Sequence, residues 1–333
     1  MEKEKIIIFG PSWIGDMVMA QSLFMNLLKR NKNVEIHLAA PEWSVGLCKK
    51  FPEIKKVIPL SFKHGRLDLI KRISLSLQLR NEKYTEVIYL INSFKSVFST
   101  LFSNIKVRTG YLGEFRYLLL NNIHRKQNEP TLKEFIKLSV RDDFTEPKLI
   151  YPKLKPNKNN ALKFLKKNKI PNKNIVVIAP GAEYGSAKRF PENKFTYLVN
   201  KFLIEKFNVL IVGSEKDKQI SRNIIGSSKN VYDLTGKTTI SEVIDIIGIS
   251  KFFISNDSGL MHVAAALNIP QEAIFGSSDP LHTPPRNNKA HITYLGLSCS
   301  PCFKRECPLG HLDCLNQINE KKLFKDILCQ IKK

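Results

Sequence analysis

The stretch "FGPSWIGDMVMAQSL" (Phe9–Leu23) sets Asp16 where a short apolar run gives way to residues recurring at helical spacing. A nucleotide-binding fold would be expected to carry a glycine-rich loop at such a turn, whereas this one offers a Trp, one Gly and a lone carboxylate. A second polar turn, "NDSGLMH", holds Asn256, Asp257, Ser258, Gly259, Leu260 and His262 ahead of the Ala-rich run "VAAAL". A helix N-terminus there would offer free N–H groups to a pyrophosphate. The plainer reading makes Asp257 or Ser258 an N-cap only. Lys188, in "PGAEYGSAKRFP", is a phosphate partner by type, or else one surface lysine in a Lys-rich chain. Four of the six cysteines, Cys299, Cys302, Cys307 and Cys314, fall within sixteen residues as C-x2-C-x4-C-x6-C. That spacing permits four thiolates around a structural zinc, and the alternative is four reduced free thiols.

The elements that must position these residues alternate. "KIIIFG", "VEIHLAA" and "TEVIYLIN" (Thr85–Asn92) read as strands in the first half. "NIVVIAPGAE", "FNVLIVGSEKD", "KFFISN" and "EAIFGSSDP" carry strands in the second. Strands alternating with helices argue for parallel sheets covered on both faces. The Pro-, Lys- and Asn-rich segment Thr145–Asn160 reads as a linker. The expected fold is therefore α/β, with Rossmann-like doubly wound domains at 1–150 and 151–333 and a ligand cleft at the strand ends. Glu272 enters the strand of "NIPQEAIFG", where a buried charge needs a partner.

With 333 residues, 43% of them hydrophobic, the chain can build two cores. No segment approaches the ~18 uninterrupted apolar residues of a membrane span, and the N-terminal apolar run is too short for a signal peptide. A cytoplasmic location is expected. The net charge of +23 attracts polyanions, although lysines scattered over both halves also fit a simple compositional bias. No arginine-rich arm or zinc-finger spacing favours nucleic acid. No G-x-G-x-x-G or P-loop pattern favours a dehydrogenase or a P-loop NTPase.

The chain resembles the bacterial heptosyltransferases of the lipopolysaccharide inner core (glycosyltransferase family 9), in particular their second type. The resemblance rests on "GPSWIGDMVMAQSL", "NSFKS" followed by "RTGYLGEFRYLLLN", "PGAEYGSAKRFP", and "NDSGLMHVAAAL" followed by "TPP". It runs from Gly10 to Pro285 in order. It implies a GT-B fold of two Rossmann-like domains facing a central cleft, acceptor on the N-terminal domain and ADP-sugar on the C-terminal one. It implies inverting, metal-independent transfer of L-glycero-D-manno-heptose from ADP-heptose to the first heptose of Kdo–lipid A, with no cofactor required. Asp16 resembles the family's catalytic base. Lys188 would stabilise the leaving group. Asp257, Ser258, Gly259, Leu260 and His262 would bind the nucleotide-sugar, and Glu215 in "GSEKD" matches an acidic ribose ligand. Trp13, Lys95, Arg108 and Arg116 fall in the N-terminal motifs; the three cations there either meet acceptor anions or form an ordinary solvated face. The resemblance also implies a Gram-negative source and a monomer working peripherally at the anionic inner face of the inner membrane. A transferase acting on Kdo or a later core sugar, and a non-catalytic nucleotide-sugar-binding protein, remain as alternatives. The four-cysteine segment occurs in only some relatives.

Overall fold

The computed structural model describes residues 4–62, 67–141, 146–226, 228 and 230–332. The chain divides into two compact units, Met1–Pro152 and Lys153–Lys333. In the first unit, β1 (Lys5–Phe9), β2 (Glu35–Pro41), β3 (Ile54–Leu60), β4 (Glu86–Tyr89), β5 (Val107–Tyr111) and β6 (Asn122–His124) form one sheet. Its order is β3-β2-β1-β4-β5-β6, and every pairing is parallel. In the second unit, β7 (Ile175–Ala179), β8 (Asn208–Ile211), β9 (Val231–Asp233), β10 (Phe252–Asn256), β11 (Gln271–Ile274) and β12 (Ala290–Thr293) repeat that order as β12-β11-β10-β7-β8-β9, again all parallel.

The central strands are covered on both faces, so their sequences are continuous apolar runs. Ile6, Ile7, Ile8 and Phe9 of β1 and all five residues of β7 are buried. The larger core of the second unit packs Val176, Ile178, Phe252 and Ile254 of the sheet against Phe195, Leu198 and Phe202 of the Glu192–Ile204 helix. The edge strand β3, by contrast, has only half-buried and exposed positions.

Two buried acids are matched by neighbours in the sheets. Glu272 lies opposite His291 in the β11–β12 register. Its carboxylate accepts from His291 Nδ1 at 3.0 Å and from Thr293 Oγ1 at 2.7 Å. This pairing draws the His291 pKa up, chiefly through the hydrogen bond to Glu272. Glu86 on β4 is likewise buried and accepts from Thr109 Oγ1 at 2.7 Å and Arg30 Nη2 at 3.2 Å. A charged residue in a buried strand is tolerated where the next strand or a helix supplies donors at the right register.

The connection between the units ends sooner than the composition suggests. Asn157 accepts the backbone N–H of Asn160 at 3.1 Å, capping a helix over Lys158–Lys167. Lys158–Asn160 is therefore the first turn of that helix, and Thr145, the expected start of the linker, lies outside the described residues.

Candidate active site

In a doubly wound sheet the loops at the carboxyl ends of the two central strands flank the point where strand order reverses, and ligands bind there. In the first unit those strands are β1 and β4. Asp16 follows β1 and is the third residue of the Ile14–Arg30 helix, half-buried. Trp13 is the N-cap, its ring half-exposed, and makes no side-chain capping bond. Lys95 follows β4 in a 3-10 turn, Phe94–Ser99, and pairs with no carboxylate among the described residues. Asp16 and Lys95 thus stand on the two loops bordering the reversal.

Arg116 departs from expectation. Its side chain is fully buried, and its guanidinium donates to Ile91 O at 2.9 Å, Asn92 Oδ1 at 3.3 Å, Gly113 O at 3.3 Å and Tyr111 O. With these donors engaged by two loops of its own unit, it fastens "NSFKS" to "GYLGEFRY" instead of presenting charge to an acceptor. Arg108 is half-buried and engaged similarly, donating to Leu119 O at 2.6 Å and Ile105 O at 3.1 Å.

In the second unit the central strands are β7 and β10. The loop after β7 carries Lys188 and the turn after β10 carries Asp257. Lys188 Nζ donates to the Asp257 carboxylate, which also accepts the Ser278 hydroxyl. An ammonium has three donors, so one bond to Asp257 leaves two for a ligand. Neither Asp257 nor Ser258 serves as a capping group: Ser258 is the N-cap of the Gly259–Ala266 helix, and its side chain makes no capping bond. Gly259 and Leu260 open that helix half-buried, so its first N–H groups meet no side-chain cap. Helix start and ammonium together form an anion-receptive locus.

Sequence reasoning missed what holds the locus. Asn256, which the sequence places in the polar turn, is the buried last residue of β10. It donates to Pro180 O at 2.6 Å and accepts from Phe190 N at 2.9 Å, latching both ends of the Lys188 loop to β10. Ser278 was not singled out at all. Glu215 opens a 3-10 turn after β8, mostly exposed, and pairs with Lys218 at 2.5 Å.

The four clustered cysteines are free thiols that line one cavity of about 20 Å³ with Ala187, Ser277 and His311. Among the described residues, no group of three or more His, Cys, Asp or Glu side chains is placed to hold a metal ion. The zinc cage that the spacing permitted is therefore not matched by the placement of these thiols.

His262 is buried in the same helix, and burial, aided by the charges of Lys188 and Arg286, pushes its pKa down to about 4. Unfolded, it titrates at 6.5. Above that pH neither state binds the proton, and the neutral histidine's contribution is complete. As pH falls from 6.5 towards 4, only the unfolded chain gains a proton, so stability falls, by roughly 2 kcal/mol at pH 5. Urea denaturation at pH 7 and pH 5 should show this loss in the wild type and a flatter profile in His262→Gln. An equal loss in both proteins would contradict a neutral, buried His262.

A family model for glycosyltransferase family 9 (heptosyltransferase) matches residues 72–313. The chain belongs to that family. Among its relatives, lipopolysaccharide heptosyltransferase 2 of Escherichia coli (strain K12) is 32% identical over 339 residues, spanning 97% of each chain. Lipooligosaccharide heptosyltransferase 2 of Haemophilus ducreyi is 36% identical, covering 87% of this chain and 88% of that one. The solved structure of E. coli ADP-heptose LPS heptosyltransferase II matches with a TM-score of 0.88 at 31% identity, covering 98% of each chain. The two sheets with their flanking helices thus make this family 9 member an α/β glycosyltransferase of the GT-B class. No helix among its described residues is long and apolar enough to cross a membrane.

Proposed function

We propose that this glycosyltransferase moves L-glycero-D-manno-heptose from ADP-heptose onto the first heptose of heptosyl-Kdo–lipid A, inverting the anomeric centre. The observation that carries the donor half is Lys188 beside the uncapped start of the Gly259–Ala266 helix, at the strand-order reversal of the second sheet. The choice of heptose acceptor follows the motif resemblance to the second heptosyltransferase type, the type named among its relatives.

In this reading the acceptor lies on residues 1–150 and ADP-heptose on residues 151–333. As the acceptor oxygen bonds the anomeric carbon, Asp16 takes the hydroxyl proton. The bond from that carbon to the β-phosphate oxygen breaks, and the electron pair leaves with ADP. Lys188 and the helix N–H groups receive the charge that develops on the departing phosphate. Asp257 and Ser278 hold Lys188 in place, Leu260 and neutral His262 complete the donor pocket, and the exposed Glu215 accepts from ribose hydroxyls. Trp13, Lys95 and Arg108 border the acceptor, with Arg116 shaping the loops behind them. Lys188 and the helix N–H groups supply the stabilisation of the leaving charge, so no divalent metal or cofactor is required. The net charge of +23 supports peripheral residence of a monomer at an anionic membrane face. The test is product analysis with ADP-heptose and a set of truncated core acceptors.

A further inference from the structure

The segment from Cys299 to Cys314 packs directly against the loop that carries Lys188. Ala187 N donates to Arg305 O at 3.0 Å, and Tyr184 Oη donates to Phe303 O at 2.8 Å. Phe303 N donates to Ser277 O at 2.7 Å, next to the Ser278 that binds Asp257. Gly185 lets the two loops touch, because a Cβ there would overlap the Arg305 carbonyl. The main chain of Arg305 is thereby fixed beside the donor locus.

The Arg305 side chain points back to the same place. Its guanidinium lies over the Tyr184 ring at 5.3 Å, and the Lys188 ammonium lies over that same ring at 5.0 Å. Two cations sharing one ring repel each other. Lys188 is compensated by Asp257, whereas Arg305 pairs with no carboxylate among the described residues. The locus therefore carries one positive charge more than its own acid neutralises. A cation–π contact at this half-buried ring is a modest interaction and does not neutralise the second charge, while a diphosphate would satisfy both cations.

We propose that Arg305 is a second diphosphate-binding cation of the donor site. Tyr184 orients its guanidinium, which takes phosphate oxygens of ADP in the forked geometry that an ammonium cannot supply. The thiol-lined segment is then the backing that sets Arg305 and Lys188 at a fixed separation. This inference rests on the donor-site reading above.

Calorimetric titration of ADP and of adenosine into wild type, Arg305→Ala, Arg305→Lys and Lys188→Ala separates the two claims. Arg305→Ala should weaken ADP about tenfold and leave adenosine unchanged, since a charge-assisted bond to phosphate is lost. It should raise KM for ADP-heptose more than it lowers kcat, with Tm unaltered because the side chain is exposed. Arg305→Lys should recover part of the affinity. Wild-type ADP affinity in Arg305→Ala, alongside loss in Lys188→Ala, would make the guanidinium a mere surface group and overturn the proposal. ADP binding undetectable in the wild type itself would instead overturn the donor-site reading, and this inference with it.

Discussion

Asp16→Asn is expected to bind ADP-heptose as the wild type does and to turn over about a hundredfold more slowly, or worse, because general-base assistance is typically worth that much. Asparagine keeps the size of the side chain and its place in the first turn of the Ile14–Arg30 helix, where Asp16 stands. It removes the negative charge and with it the ability to accept a proton. The residues proposed to bind the donor lie on the second unit's own loops, so binding of the nucleotide-sugar should be unmoved. Steady-state kinetics with saturating acceptor, paired with calorimetry for the donor, reads both quantities. A near-normal kcat would remove Asp16 from the reaction. A lost donor affinity with normal folding would make it a binding residue instead.

Lys188→Ala should lower kcat/KM by roughly a hundred- to a thousandfold, the range seen when one preorganised donor to a developing charge is removed. Binding and turnover should fall together, because the ammonium meets the phosphate in both the ground and transition states. The structure adds a second effect. Asp257 is buried, and its carboxylate loses its cation in this variant. An unpaired buried carboxylate is strongly destabilising, by about 3 kcal/mol or more, and it would also repel the incoming diphosphate. The double variant Lys188→Ala with Asp257→Asn should therefore recover stability while catalysis stays low. Restored turnover in the double variant would mean that the lysine acts only by neutralising Asp257.

The central strands were legible because burial on both faces demands uninterrupted apolar runs, as in "KIIIF" and "IVVIA". The edges were not. β3 reads "IKKVIPL", with lysines and a proline that an exposed edge accepts, and nothing in it announces a seven-residue strand. The loops that carry Asp16 and Lys188 were legible because they follow such central strands. Arg116 was not, since a guanidinium beside an acceptor and one buried among its own loop carbonyls look identical in sequence. Its burial depends on Ile91, Asn92, Tyr111 and Gly113 meeting around it. The same holds for Glu272, whose partner His291 is nineteen residues away and joins it only through parallel register. The latch role of Asn256 was not legible either, since it depends on the residue ending β10 within reach of Pro180. Arg305 lies beside Lys188 only because the Cys-rich segment folds back onto the Tyr184–Lys188 loop.

Heptosyl transfer itself is read by product analysis. Purified protein is incubated with ADP-heptose and, separately, with Kdo–lipid A, heptosyl-Kdo–lipid A and a later core acceptor, each with and without EDTA. Mass spectrometry reads the products, and NMR reads the new anomeric configuration. The expected result is one heptosyl unit added to heptosyl-Kdo–lipid A alone, with inversion, ADP released in equal amount and no loss in EDTA. Transfer to Kdo–lipid A in its place, retention of configuration, activity abolished by EDTA and restored by Mg²⁺, or ADP-heptose bound without any transfer would contradict it.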